Sequence, residues 1–194
     1  MRSADYSPER IADRVEIQDR LHQFVRGIDR RDWALALSVY HEDATDNHGI
    51  YNGSAQGFIA FTKKRHETVL MSMHRLSNII IEFTDLDSAL VESYGLNWQA
   101  LSVANSDMRA ATEPTGEKNE LPLEVLSATR YVDQFTRRNG AWRIQERQVI
   151  FESSMKVTAE ATGPNMAAVM TMGRRDESDF LMTLRAKLLS HSRP

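Results

Sequence analysis

The segment from Thr129 to Phe151, TRYVDQFTRRNGAWRIQERQVIF, constrains the fold more than any other part of the chain. Two runs rich in Tyr, Phe, Trp, Val and Ile flank Asn139-Gly140, and Asn-Gly supplies the positive φ angles that a tight type I′ turn requires. The segment therefore predicts one long antiparallel hairpin. With Trp142 and Ile144 on one arm and Tyr131 and Phe135 on the other, such a hairpin is not stable in isolation and must curl over helices supplied from elsewhere. Register matters here. If Asn139-Gly140 is the whole loop, strict pairing sets Asp133 against Glu146 and Arg147 against Val132. Facing acids are unfavourable, so a β-bulge that brings Arg147 to Tyr131 and Asp133 is expected.

The helices come first in the chain. Ser7 followed by Pro8 is a helix start, with a capping hydroxyl and a proline where the lost N–H donor costs nothing. Helix 1 is expected to run to about Arg26, with Ile17, Leu21, Phe24 and Ile28 on its buried face. Gly27 to Arg31 reads as an elbow, and Asp32 as the cap of a second helix carrying Trp33, Ala36, Leu37 and Tyr40. From His41 to Gly57 the pattern dissolves into a polar stretch that predicts short edge strands, with Asn52-Gly53 as a second turn signal. A third helix is expected from about Ala55 to Leu70 through Phe58, Phe61, Arg65 and Val69, with His22 and His66 as helix-surface residues. Met71 to Phe83 and Ala89 to Val103 read as strands. Consecutive Ile79, Ile80 and Ile81 predict that the first of them is covered on both faces. Ala104 to Glu120 is polar and aperiodic and is expected to be a loop, in the position of a lid. Asp176 to Leu189 looks helical through Phe180, Leu184 and Leu188. The expectation is an α+β fold: a curved antiparallel sheet around three N-terminal helices over residues 1–155, and a partly helical extension over 156–194.

Composition narrows the function. The chain of 194 residues suits one domain with a tail. It has no cysteine, which excludes disulfides, thiolate metal sites and cysteine nucleophiles. A formal charge of -3 gives no footprint for nucleic acid, and Lys63-Lys64, Arg137-Arg138 and Arg174-Arg175 read as solvated surface. No apolar run approaches the roughly 20 residues of a membrane span. A soluble cytoplasmic protein without nucleic-acid or membrane partners is expected. The segment His41 to His48, HEDATDNH, has metal-ligand residue types, but its spacing fits no familiar ligand pattern, and no metal is expected. Without a glycine-rich phosphate loop or a G-x-S-x-G elbow, no nucleotide cofactor or serine hydrolase chemistry is expected either.

The order of elements resembles the cone-shaped fold of the nuclear-transport-factor-2-like superfamily. The resemblance rests on IDRRDW at Ile28 to Trp33, MHRLSN at Met73 to Asn78, and RYVDQFTRRNGAWRIQERQVIF, and it spans roughly residues 11 to 152. GRRDESD at Gly173 to Asp179 looks like a tail motif of the SnoaL-like branch, which is similar to scytalone dehydratase, bile-acid 7α-dehydratase and hexachlorocyclohexane dehydrochlorinase. The resemblance implies an acid-base pair of Asp29 at the elbow and His74 on the facing strand. It also exposes a departure: the dehydratases carry a tyrosine at or five residues before the elbow, where this chain has Ile28 and Phe24. Tyr40, Tyr51 or Tyr131 must reach in if a tyrosine acid is used. The fold also hosts isomerases, cyclases, formaldehyde-releasing lyases and non-catalytic dioxygenase subunits, so the resemblance alone does not fix the reaction.

Each candidate has two readings. His74 is either a base tuned by a carboxylate or a satisfied core histidine. Asp29 either orients His74 or caps a turn. Arg147 either binds a substrate oxygen or forms a structural ion pair. Phe24, Phe58, Tyr94 and Trp98 are candidate pocket walls, and Asn78, closing MHRLSN, joins the substrate-binding candidates. The expected partner is a hydrophobic small molecule. The doubly apolar strand also predicts a homo-oligomer, a trimer before a dimer by the resemblance.

Overall fold

In the computed structural model, which describes residues 6–104, 122–157 and 169–190, the chain opens with α1 (Pro8–Arg30). Ser7 accepts a hydrogen bond from the Arg10 N–H at 3.3 Å. Ile17, Leu21, Phe24 and Ile28 are buried as the spacing requires. The helix runs four residues past its expected end, to Arg30, because the elbow is made by one residue: Arg31 takes φ 58° and closes the last turn. Gly27 stays helical, and its missing side chain lets α2 (Trp33–Ser38) approach, since a Cβ there would lie 2.6–2.9 Å from Ala36. Asp32 caps α2 by accepting from the Leu35 N–H at 3.0 Å.

Strands β1 (Tyr40–Asn47) and β2 (Asn52–Ser54) follow, then α3 (Ala55–Arg65) and a single 3₁₀ turn, His66–Thr68. The turn between β1 and β2 falls on His48 to Tyr51, with Gly49 at φ 73°, and the expected Asn52-Gly53 turn is inside β2 instead. Helix α3 ends five residues early, and its buried stripe is Ala55, Phe58, Ile59 and Thr62, so Phe61 is half-exposed where it was expected to be buried.

The remaining strands are β3 (Val69–Phe83), β4 (Ser88–Leu101), β5 (Leu123–Arg138) and β6 (Ala141–Val157). The sheet is curved, unclosed and six-stranded in the order β2-β1-β6-β5-β4-β3. It is mixed, not wholly antiparallel, because β1 pairs parallel with β6. The helical segment delivers β1 to the sheet and no hairpin joins it to β6, so nothing obliges the pair to run antiparallel. The expected lid, Ala104 to Glu120, lies outside the described residues except for Ala104.

The organising hairpin forms as the sequence dictates, with Asn139 at φ 53° and Gly140 at φ 78°. Arg138 faces Ala141 and Phe135 faces Ile144, after which the register shifts and Asp133 faces Arg147. Gln145 is the extra residue. Inward residues of β6 are even-numbered before it (Trp142, Ile144) and odd after it (Arg147), which is the β-bulge the charge argument required. A second bulge, at Asn78 with φ 48°, does the same in β3: Ser72, His74 and Leu76 share a face with Ile79 and Ile81. Ile80 therefore points outward and is 47% exposed. The main core packs Ile17, Leu21 and Phe24 of α1 against Phe135, Trp142 and Ile144 of the hairpin.

The C-terminal extension contributes α4 (Phe180–Ser190), whose Phe180, Leu184 and Leu188 are exposed. Its preceding loop reaches back to the elbow. Arg174 and Arg175 were expected at the surface, but Arg175 is 8% exposed.

Candidate active site

Where the main core ends, the concave side opens into a cavity of about 370 Å³, lined by α1, α3 and strands β3 to β6. The helix elbow and β3 bring Asp29 and His74 together at its wall. Asp29 Oδ1 takes the His74 Nδ1 contact at 2.6 Å and a bond from the Ser72 hydroxyl at 2.7 Å, and Oδ2 accepts the His74 backbone N–H at 2.8 Å. Burial alone would raise the Asp29 pKa, but the hydrogen bonds and charge of His74 outweigh it and hold the carboxyl below its usual range. The ionised carboxylate fixes the proton of His74 on Nδ1. Nε2 then carries a lone pair, has no partner among the described residues, and belongs to a ring that lines the cavity.

A second couple stands on the β1 side. His48 Nδ1 contacts Asp46 Oδ1, and the His48 ring stacks on Phe58 with centroids 4.0 Å apart. The Tyr40 hydroxyl donates to Asp46 Oδ2 at 2.6 Å. Burial pushes the His48 pKa below its ordinary value, against the pull of Asp46. Behind this couple, Arg147 donates Nε and Nη2 to the two Asp133 oxygens, each at 2.7 Å, and Nη1 to the Tyr40 hydroxyl at 3.3 Å. Its guanidinium lies 4.3 Å from the Phe24 ring centre and 4.5 Å from that of Tyr131. Burial acts to neutralise Arg147, but Asp133 outweighs it and holds the guanidinium charged.

A third histidine lines the cavity. His66 follows α3, is 3% exposed, and meets Arg175 Nη2 at 2.8 Å through its Nδ1. Arg175 also donates to the carbonyls of Asp29 at 2.8 Å, Ile28 at 3.2 Å and Val69 at 2.7 Å. One side chain of the extension thus ties together the end of α1 and the start of β3, the two segments that carry Asp29 and His74.

Residues 9–148 match the sequence profile of the SnoaL-like domain. The chain belongs to the SnoaL-like family. Its fold is similar to that of a hexachlorocyclohexane dehydrochlorinase, LinA type 2, at a TM-score of 0.65 and 19% identity over 80% of this chain and 95% of that one. A scytalone dehydratase-like protein from Novosphingobium aromaticivorans superposes at a TM-score of 0.60 and 16% identity, covering 80% of this chain and 94% of its own. No curated protein matches the sequence.

Within this SnoaL-like frame the expected site residues separate into three groups. Phe24, Phe58, Tyr131 and His74 line the cavity, and Asp29 stands behind His74. Tyr40 and Tyr51 do not line it: Tyr40 is buried against Asp46, and Tyr51 packs on Phe58 and donates to the Ser54 carbonyl. Arg147, a catalytic candidate read either as a ligand for a substrate oxygen or as a structural ion pair, is fully buried with its donors on Asp133 and Tyr40, which is the second arrangement. Tyr94 and Trp98 are on the opposite side of the sheet. In β4 the odd residues Val91 and Ser93 turn inward, so the even ones are exposed, Tyr94 at 40% and Trp98 at 41%. Asn78 is exposed at its bulge.

Sequence reasoning missed His48, His66, Asn97, Gln99, Ser127 and Thr129, all on the cavity. The signals were present. Phe58, Thr62 and His66 are spaced i, i+4, i+8, and Asn97, Gln99 share the parity of buried Val91. Within HEDATDNH the structure pairs His48 with Asp46, and among the described residues no group of three His, Asp or Glu is placed to hold a metal ion. No helix among them is long and apolar enough to cross a membrane. A wider polar depression at the β5–β6 turn, lined by His41, Asp43, Arg138 and Arg143, lacks a comparable arrangement: His41 Nε2 is engaged by the Thr136 carbonyl at 2.9 Å.

Proposed function

We propose that the protein is a cofactor-independent lyase that removes a proton from a hydrophobic, aromatic or polycyclic small molecule with the His74–Asp29 couple. The observation that carries this reading is a histidine on a largely apolar cavity whose Nδ1 is committed to an ionised carboxylate and whose Nε2 has no partner among the described residues. Such an imidazole is a general base, and Asp29 stabilises the imidazolium that forms. Phe24, Ile28, Phe58, Val125 and Val149 supply apolar walls, while Asn97, Gln99, Ser127 and Thr129 offer hydrogen bonds along one strip. The open cavity favours a catalyst over a purely structural subunit of this fold. The enzymes named among the fold neighbours, a dehydrochlorinase and a dehydratase-like protein, agree with elimination chemistry. Incubation with a panel of aromatic alcohols, followed by mass analysis, tests the reading. Loss of water is expected; loss of formaldehyde would move the reaction to carbon–carbon cleavage, and an unchanged mass with altered retention to isomerisation. His74→Gln should lower turnover about 10²–10⁴-fold.

We also propose that the outer face of the sheet binds a second copy of the chain. Ile80, Leu90, Tyr94, Leu96 and Trp98 are exposed together on β3 and β4, a patch of the kind that marks interfaces. Light scattering at micromolar concentration should show a closed oligomer, a trimer before a dimer. A monomer would refute this.

A further inference from the structure

The base leaves one chemical requirement to the other groups of the cavity. When His74 takes a proton from carbon, negative charge gathers on the substrate, and a dry site needs a donor where that charge settles. His74 and His48 do not suit this role as neutral rings. Each has its Nδ1 on a carboxylate, so each presents an acceptor at Nε2. Tyr131 also lines the cavity, where burial keeps its hydroxyl protonated as a second donor, and the Asn97 and Gln99 amides there already donate to Thr129 and Ser72 at 3.4 Å.

His66 has the opposite polarity. Its Nδ1 partner is Arg175, and a guanidinium has only donors. Nδ1 must therefore accept, which places the ring proton on Nε2 and keeps the ring neutral. Nε2 has no partner among the described residues, and the ring lines the same cavity as His74. We propose that His66 is the electrophile of the site: a neutral imidazole, with its tautomer set by Arg175 of the C-terminal extension, whose Nε2–H hydrogen-bonds the oxygen that gains charge as His74 removes a proton. This rests on the reading of His74 as base. It directs the site toward carbonyl compounds whose acidic carbon adjoins the carbonyl and whose neighbouring carbon carries a hydroxyl. The C–H electron pair forms a carbon–carbon double bond, the carbonyl π pair moves to the oxygen held by His66, and His74 becomes the imidazolium. As that enolate collapses, the carbonyl re-forms, the C–O bond breaks, and the departing hydroxyl takes the proton from His74 as water. His66 keeps its proton throughout, and Arg175 acts as a positioning residue.

The surroundings support a ring that does not charge. Burial, joined by the positive charges of Arg175 and Arg65, pushes the His66 pKa down to about 3, with Asp29 pulling the other way. Trp33 packs edge-on against the ring at 5.8 Å, and Arg31 donates to the His66 carbonyl at 2.7 Å, so the ring is held on several sides. The GRRDESD segment, which no local periodicity explains, places its second arginine on this histidine.

Long-range proton–nitrogen NMR of the histidine rings tests the proposal without a substrate. In the wild-type protein His66 should show the Nε2–H tautomer and should not titrate between pH 8 and 5. A His66 that carries its proton on Nδ1, or titrates near 6.5, overturns it. 4-Nitrophenol serves as the probe, because its anion is a planar oxyanion like an enolate. Its binding should shift the His66 Nε2–H signal, His66→Ala should weaken phenolate binding about tenfold or more, and His66→Gln should restore part of it. Unshifted signals or unchanged affinity refute the role. Arg175→Gln should release the ring to mixed tautomers with a titration above pH 5; if that variant does not fold, the wild-type tautomer and the His66→Ala affinity decide. His74→Gln should keep the His66 tautomer and phenolate shift while losing turnover. Retained turnover in that variant would refute the base alone, and an unresponsive His66 the electrophile alone.

Discussion

Two couples are buried beneath the concave face, and their difference separates scaffold from site. Asp133–Arg147 and Asp29–His74 both pair a carboxylate with a basic side chain, and both are nearly or wholly sealed from solvent. In the first, both carboxylate oxygens and three guanidinium nitrogens are engaged, and aromatic rings close over the rest. Neither side chain is exposed, and neither lines the cavity. In the second, the carboxylate is as fully engaged, by Ser72, His74 Nδ1 and the His74 N–H, yet the imidazole lines the cavity with one nitrogen that has no partner among the described residues. Burial and charge alone do not distinguish a strut from a catalyst; unused hydrogen-bonding capacity does.

The sealed couple gives the largest expected effect. Arg147→Ala leaves the Asp133 charge buried without its partner and should cost about 3–5 kcal/mol in denaturant unfolding. Replacing both partners by apolar residues of similar volume, Arg147→Met with Asp133→Leu, should recover most of that loss. Equal losses in the single and double variants would mean that the ion pair itself, not the avoidance of a lone charge, holds this part of the hairpin.

Acid should act next, and through the cavity side. An unfolded His66 takes a proton below pH 6.5, whereas the folded one does so only near 3, so the unfolded state binds more protons across that window. Stability is full above 6.5 and falls as pH drops toward 3, by up to about 1.4 kcal/mol per unit from this group. Asp29, whose pKa is depressed, adds stability present above about 4 and lost below it. Melting curves from pH 7.5 to 4.5 should show the first slope, to which His48 and His41, also depressed by burial, add, and His66→Gln should reduce it; an unchanged slope would place the acid sensitivity elsewhere.

The scaffold was far more legible in the sequence than the site. Asn139-Gly140 has one good conformation, and the repulsion between Asp133 and Glu146 was enough to demand the Gln145 bulge. The α1 stripe and the Asp32 cap follow from spacing and hydrogen-bonding chemistry. The wall of the cavity was harder to read because two choices there turn on single residues. Asn78 adopts a left-handed conformation that no flanking glycine announces, and it reverses the parity of β3. In β4, large aromatic side chains at Tyr94 and Trp98 suggested the inner face, while the inner face is built from Asn97, Gln99 and other small or polar residues, as a cavity must be. Arg175 was unreadable as a site residue, since its partner is 109 positions away.

The smallest effect belongs to the outer face. Trp98 is half-exposed and donates to Glu124 at the surface, so Trp98→Ser should change monomer stability by about 0.5 kcal/mol or less and leave turnover of any accepted aromatic alcohol intact. A loss of turnover without a change of oligomeric state would return Trp98 to the pocket.

The central claim is that the nitrogen left open on His74 moves a proton. The direct measurement is turnover in heavy water of whichever panel compound the wild-type protein converts, with recovered substrate examined for deuterium at the carbon that loses hydrogen, and folding monitored in parallel. Proton removal by His74 predicts product formation or deuterium uptake in the wild type, loss of both in His74→Gln and Asp29→Asn, and an unfolding midpoint in His74→Gln close to that of the wild type. Undiminished turnover in His74→Gln, or loss of folding with activity per folded molecule unchanged, would make His74 a structural histidine and contradict the account.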